Sequence, residues 1–257
     1  GGYFTLAYVL DDLPGWLKAL SKRPRGMWRY RELLPVRDEA SIVTMGEGGT
    51  PLLHSENLGA MLGLKHLYLK DERQGPTGSF KGRQASLAIS ALREAGHAGL
   101  VVANTGNVAI AYSPYAARAR VKLWVFTISS IPPDKMREVT LYGSELVKVT
   151  GTYDQAKHVA ARFARSKGLP LDQGLRSLAA RESMKTVAFE IAECGANIQN
   201  VGMEEDGSLY TQIHFTLQVT DRVHLARIMK GLRRVPEVVR IARVRAGDGA
   251  DQARKTN

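Results

Sequence analysis

Leu67-Tyr68-Leu69-Lys70-Asp71-Glu72-Arg73-Gln74-Gly75-Pro76-Thr77-Gly78-Ser79-Phe80-Lys81-Gly82-Arg83 changes backbone type twice within one short span. Leu67–Lys70 reads as a short strand. Gly75, Pro76 and Gly78 end it with a turn. From Lys81 to Ala95 the pattern is helical, with Ala85, Ile89 and Leu92 on one face. Thr77 and Ser79 are suited to cap that helix. Lys81 falls in its first turn, where the helix dipole opposes a positive charge. Dipole and partial burial both disfavour the charged amine. An uncharged amine is the form that Schiff-base chemistry needs. On residue type alone, the competing reading is a solvated surface lysine.

Downstream the pattern stays regular. Leu100–Ala103, Leu123–Thr127 and Glu145–Val149 read as strands. Between and after them, Val108–Arg118, Asp134–Tyr142, Tyr153–Ser166 and Met184–Glu193 read as helices, the first interrupted by Pro114. Alternating short strands and helices predict a parallel sheet covered on both faces. Residues 1 to about 40 read as irregular and basic, punctuated by Pro14, Pro24 and Pro35.

After Gly195 the texture changes. Ala196–Glu204 and Ser208–Val219 read as paired strands, with Asp206-Gly207 as the hairpin signal. Asp221 then caps a helix over 222–234, and Val238–Val244 closes as a strand. The order is β-β-α-β. Residues 246–257 read as a loose tail.

The chain has 257 residues, of which 44% are hydrophobic and 24% charged, enough for a real core and unlike a disordered or fibrous chain. A single cysteine, Cys194, excludes an internal disulfide and a Cys-rich metal site. No metal centre is expected. Cys194, His158 and His214 read as structural residues. No apolar run is long enough for a membrane span. The chain opens with Gly1-Gly2 and shows no signal segment, so it reads as a cytoplasmic protein lacking its natural start. Net charge is +11, and residues 222–257 hold ten basic and three acidic side chains, a local +7. A polyanion partner is one reading of that stretch. Without interleaved aromatics, a solvated basic face is preferred, and nucleic acid is not the expected partner.

The opening stretch resembles the lysine motif of the threonine synthase family, pyridoxal-phosphate enzymes of fold type II. The family pattern is close to Lys-x-Glu-x-x-Asn-Pro-Thr-Gly-Ser-Phe-Lys-Asp-Arg. Lys70, Glu72, Pro76, Thr77, Gly78, Ser79, Phe80, Lys81 and Arg83 match it, with Gly75 for the Asn and Gly82 for the Asp. Gly46-Glu47-Gly48-Gly49-Thr50-Pro51-Leu52 is similar to the family's Gly-Glu-Gly-x-Thr-Pro-Leu segment. Trp28–Pro35 is similar to its leading segment, and Asn104-Thr105-Gly106-Asn107 to its Ser-Thr-Gly-Asn loop. Glu182–Glu190 resembles its Glu-Gly-x-Lys-Thr-x-Ala-Phe-Glu helix. Asn104, Tyr112, Ser113 and Pro114 depart from the usual residues.

The resemblance implies pyridoxal 5′-phosphate as cofactor and Lys81 as the catalytic lysine that binds it. It implies Asn107 as a cofactor contact, and Thr105, Gly106 and Asn107 as the loop for the substrate carboxylate. The implied reaction turns O-phospho-L-homoserine and water into L-threonine and phosphate, a lyase acting on a small amino-acid substrate. The matches run in register to about residue 193. The family's later Gly-rich loop, which cradles the cofactor phosphate, finds no counterpart: Gly46–Gly49 is already assigned, and Gly247-Asp248-Gly249 lies in the tail. The chain is therefore expected to lack the C-terminal half of the domain, which argues against full activity.

Gly195–Val201, Leu209–Val219, Asp221–Pro236 and Val238–Val244 resemble an ACT domain, nearest to that of the guanosine tetra/pentaphosphate synthetase/hydrolase family. Its first strand is absent from the pattern, and Met184–Glu193 stands where its first helix belongs. The expected fold is α/β: an incomplete three-layer parallel-sheet fold type II domain, followed by a small α+β ACT-like (ferredoxin-like) unit. The expected divisions are 1–193, 194–245 and 246–257, a chimera joined near Cys194. The alternative function is a non-catalytic regulatory module, sensing an amino acid or forming a homodimer through the ACT-like unit.

Overall fold

The computed structural model describes residues 13–104, 106–172, 174, 178–193, 201–205 and 211–215. In chain order these form α1 (Leu13–Lys22), β1 (Leu52–His54), α2 (Glu56–Leu62), β2 (Tyr68–Lys70), α3 (Lys81–Glu94) and β3 (Gly99–Ala103). There follow α4 (Asn107–Ala119), β4 (Lys122–Ile128), α5 (Pro133–Leu141), β5 (Glu145–Val149), α6 (Tyr153–Lys167), α7 (Leu178–Glu193), β6 (Val201–Glu205) and β7 (Thr211–Phe215). Two compact units emerge: Gly1–Leu52 with Lys70–Phe215, and Leu53–Leu69 with Thr216–Asn257.

The first unit is built on a parallel sheet of order β3-β4-β5. Side chains alternate across its faces, as the two-residue period of a strand requires. Leu100, Val102, Leu123 and Val125 enter one core with Ala85 and Ile89 of α3, Ala109 and Tyr112 of α4, and Met136 and Val139 of α5. Val101 and Phe126 point the other way, onto Ala160 and Ala164 of α6. The expected three layers are present. The second unit's described part is α2 with the adjoining ends of β1 and β2, whose strands pair in a separate two-stranded sheet.

Three expectations need correction. Residues 1 to about 40 are not simply irregular, because α1 and a 3₁₀ segment at Met27–Leu33 lie there. Pro14 reads in the sequence as punctuation, but it sits in the first turn of α1, where its missing N–H has no intrahelical acceptor to lose. Pro114 does not interrupt α4, which runs through it. The ring is buried on the core side, and that packing offsets a helix-interior cost of about 3 kcal/mol. α7 also starts six residues earlier than Met184, at Leu178.

Local signals explain the boundaries. Thr152 and Gln155 form a reciprocal capping box at the start of α6, and Gly168 ends it at φ 62°. α4 ends on Arg120 at φ 55°, a conformation that glycine tolerates far better. Arg120→Gly is expected to raise stability by about 0.5–1 kcal/mol, read as a higher melting temperature. An unchanged or lower one would count against that account.

Near the N-terminus, Arg23 pairs with Glu32 at 2.6 Å. The Arg23 hydrogen bond outweighs partial burial and holds the Glu32 carboxyl at about 2, below its ordinary 4.5. A carboxyl whose folded pKa is depressed contributes stability above its unfolded pKa and loses it as pH falls. The pair's contribution is therefore present above pH 4.5 and disappears towards about 2. Glu32→Gln is expected to show a shallower fall in melting temperature across that window than the parent chain.

After β5 the chain crosses the sheet on the α6 face and returns beside β3. Leu171 bridges Val101 in parallel, and Asp172 N donates to Val101 O at 2.9 Å. β3 thus has β4 on one side and residues 170–172 on the other, reached by crossovers on opposite faces. That is a topological switch point, where open α/β sheets leave a crevice at their carboxyl ends. β6 and β7 pair antiparallel with Met203 opposite Ile213, as the alternation predicts. The turn at 206–207, the 222–234 helix, the 238–244 strand and the tail lie outside the described residues.

Candidate cofactor site

Lys81 opens α3 at the carboxyl end of the sheet and is 3% exposed, so it is not the solvated lysine of the competing reading. Its Nζ lies 4.6 Å from the centre of the Phe80 ring. The expected side-chain caps are not formed. Phe80 occupies the cap position without a side-chain bond, and the backbone carbonyls of Ser79 and Phe80 take the Gly82 and Arg83 amides. The tight turn leaves the two hydroxyls no geometry to reach those amides.

The motif residues around Lys81 form a buried charge network. Arg83 binds Glu72 through Nε at 2.8 Å and Nη2 at 2.9 Å. On its other side it binds Glu190 through Nη1 at 2.7 Å and Nη2 at 2.8 Å. Lys70 Nζ reaches Glu190 at 2.8 Å and donates to Thr50. Thr186 Oγ1 accepts from Arg83 at 3.0 Å, and Gly49 N donates to Glu190 at 3.0 Å. Burial alone would lower the Arg83 pKa, but Glu190 and Glu72 hold it above its ordinary value. Burial alone would raise Glu190, but Arg83, Lys70 and the Gly49 amide hold it below. Two cations and two carboxylates balance. The network ties together the Gly46–Leu52 segment, β2, α3 and α7, so the start of α3 cannot drift.

A second buried carboxylate supports α3 from the side of α4. Glu47 accepts from Tyr115 Oη at 2.6 Å, Trp28 Nε1 at 2.8 Å and Met45 N at 2.9 Å. Burial first, then the Glu47 charge, raises the Tyr115 phenol.

At the switch point, Tyr112 of α4 donates to Asp172 Oδ2, and Gln84 Nε2 of α3 donates to Tyr112 Oη at 3.2 Å. These bonds bring the starts of α3 and α4 to the same end of the sheet. Sequence reasoning flagged Tyr112 only as a departure and missed Gln84 and Asp172. No local signal links positions 60 and 88 residues apart.

The loop after β3 is held by Asn104 Oδ1, which accepts from Gly106 N at 2.8 Å. Gly106 caps α4 with no side-chain bond, and a Cβ there would meet nothing within 4 Å. Asn107 is exposed as the first residue of α4. Thr105 lies outside the described residues. Lys81, Gly106 and Asn107 therefore share the carboxyl edge of one sheet, at the positive ends of two helices.

Two features fit a carbonyl-bearing anion such as pyridoxal phosphate. The Ser79 hydroxyl, two residues before Lys81, is buried without a hydrogen-bond partner among the described residues. The loop at Gly106 has open space above it. Lys81, Ser79 and the start of α4 would be the residues to hold such a group.

Comparisons with known proteins agree with this geometry. The chain is 35% identical over 196 residues to the threonine synthase of Methanocaldococcus jannaschii, covering 75% of this chain and 48% of that one. It is 34% identical over 165 residues to the threonine synthase of Halalkalibacterium halodurans, covering 64% and 46%. The chain thus spans about half the length of the curated relatives it matches. A solved pyridoxal 5′-phosphate-dependent aspartate racemase superposes with a TM-score of 0.53 at 30% identity, covering 56% of this chain and 46% of that one. Residues 178–243 match the ACT domain family, so α7 falls within both matched ranges and β6 begins within both. With residues 43–203, more than half of its length, matching the family described as pyridoxal-phosphate dependent enzyme, the chain belongs to that family.

Proposed function

We propose that this chain carries the lysine half of a threonine-synthase-type site, acting on O-phospho-L-homoserine to release phosphate and form L-threonine. The observation that carries the proposal is Lys81, buried at the start of α3. Pyridoxal phosphate, when bound, supplies an electron sink for charge developing on substrate carbon. The chain's own residues do the rest. Lys81 Nζ is the proton carrier between neighbouring substrate carbons. Thr105, Gly106 and Asn107 receive the substrate carboxylate at the α4 N-terminus, and Asn107 also contacts the cofactor ring. The Arg83 network fixes α3 so that Nζ keeps its aim. The division into 1–193, 194–245 and 246–257 belongs to the same proposal.

The test is incubation with pyridoxal phosphate, borohydride reduction and peptide mass spectrometry. A pyridoxyl group concentrated on Lys81 and lost in Lys81→Ala is expected. Labelling spread over surface lysines and unchanged by that substitution would refute the proposal.

A second reading, as a regulatory module, is favoured by the ACT match over 178–243. It requires self-association, so a strictly monomeric protein by light scattering at high micromolar concentration would remove it. Among the described residues no helix is long and apolar enough to cross a membrane.

A further inference from the structure

Residues 170–172 lie at one edge of the parallel sheet, beside β3. Val101 N donates to Pro170 O and Asp172 N donates to Val101 O, both at 2.9 Å. In that parallel pattern the N–H and C=O of the middle residue, Leu171, point away from β3. Neither has a hydrogen-bond partner among the described residues. The missing N–H of Pro170 faces β3, so the outer edge keeps its donor. Leu171 packs its side chain on the α6 face with Val101 and Phe126. Pro170 and Asp172 therefore point to the opposite face, where Asp172 reaches Tyr112 and Gln84. On that face a groove of about 330 Å³ lies between this edge and Ala88, Ala91, Leu92 and Ala95 of α3. Asp172 and His97 are the ionisable residues that line it.

We infer that this edge is a docking surface for an extended peptide of the order basic, any residue, aliphatic, which adds antiparallel to Leu171 as a further strand. An unpaired donor and acceptor on one edge residue are what strand addition uses, and pockets for alternate side chains give it selectivity. In an antiparallel pair, the peptide residue opposite Leu171 exchanges both bonds with it. Its two neighbours then point to the α3 face. The following residue stands opposite Pro170 and places an aliphatic side chain in the groove, where the alanines of α3 leave room for it. The preceding residue stands opposite Asp172. The Asp172 carboxyl is held by the Tyr112 hydroxyl, the Gln84 amide and Gly174 N, all uncharged donors. A guanidinium set there meets a fixed negative charge.

The test needs neither cofactor nor substrate. The probe is a fluorescein-labelled peptide, Thr-Arg-Thr-Leu-Thr with blocked ends, read by anisotropy against the whole chain. Saturable binding is expected. N-methylation of the central Thr removes its donor to Leu171 and is expected to weaken binding about five- to tenfold. Citrulline in place of Arg, uncharged and of the same shape, weakens it about two- to fivefold in the parent chain and has no effect in Asp172→Asn. Ala95→Leu, at an exposed position on the groove wall, weakens the peptide and leaves the melting temperature unchanged. Should Asp172→Asn fail to fold, the N-methylated peptide and Ala95→Leu decide. Absence of saturable binding at millimolar peptide overturns the inference. So does equal binding of the N-methylated peptide, which would report adsorption on an apolar wall rather than strand addition. A dimer by light scattering that excess peptide does not dissociate assigns the edge to a second copy and overturns it as well.

Discussion

Arg83→Met is expected to destabilise the chain by about 3–5 kcal/mol, the range for breaking a buried ion pair by removing one partner. Arg83 is 1% exposed and its guanidinium is shared between Glu72 and Glu190. Methionine fills a similar volume, so the loss is electrostatic rather than a cavity. It leaves two carboxylates in the buried network facing the Lys70 ammonium alone. Glu190, on α7, is 8% exposed and has little water to turn to. Glu190→Leu leaves the opposite imbalance and is expected to cost a similar amount. Arg83→Met combined with Glu190→Leu restores neutrality as a Lys70–Glu72 pair. The double variant should fall short of the summed losses by about 1–3 kcal/mol. Urea unfolding of the four proteins measures this, and additive losses would show that the charges do not act as a unit.

Gly48→Ala is the second large effect. Gly48 lies at φ +94°, and a Cβ there would sit 2.3 Å from Met27 N and 2.8 Å from Gly26 C, both backbone atoms, and 2.8 Å from Glu190 Oε1. The backbone cannot retreat easily, because Met27 N donates to Glu47 O at 2.8 Å and Met27 is fully buried. Positive φ adds about 1–2 kcal/mol and steric overlap about 1–3 kcal/mol, so a loss of about 3 kcal/mol or more is expected. Gly46 separates the two terms: its φ is +85°, but a Cβ there meets nothing within 4 Å. Gly46→Ala should show only the smaller conformational cost. If both substitutions lower the urea midpoint equally, crowding at Gly48 is not the cause.

These residues mark the boundary between what local pattern reveals and what it cannot. Strand and helix identities were legible because periodicity is a property of neighbours: Glu145–Val149 is a strand, and α3 and α6 start at Lys81 and Tyr153, as the pattern predicts. The place of Lys81 in the first turn of α3 was legible because its motif is contiguous. The prolines misled because their effect depends on position and burial. Pro14 is harmless in a first turn, and Pro114 is carried by core packing. The capping hydroxyls misled because the tight turn before Lys81 uses backbone carbonyls instead.

The sequence by itself determined the alternation of the α/β domain, the family motifs and the amine that defines the candidate site. Only the tertiary structure decided what those motifs do. Arg83 and Glu190 are 107 residues apart in the chain and meet at 2.7 Å. Asp172 joins α3 and α4 because α6 returns the chain to the free edge of β3. Charge pairing and hydrogen bonding act through space, while sequence pattern records only neighbours along the chain. The Arg83 network, and the Asp172 carboxylate shared by α3 and α4, exist only once the sheet has formed.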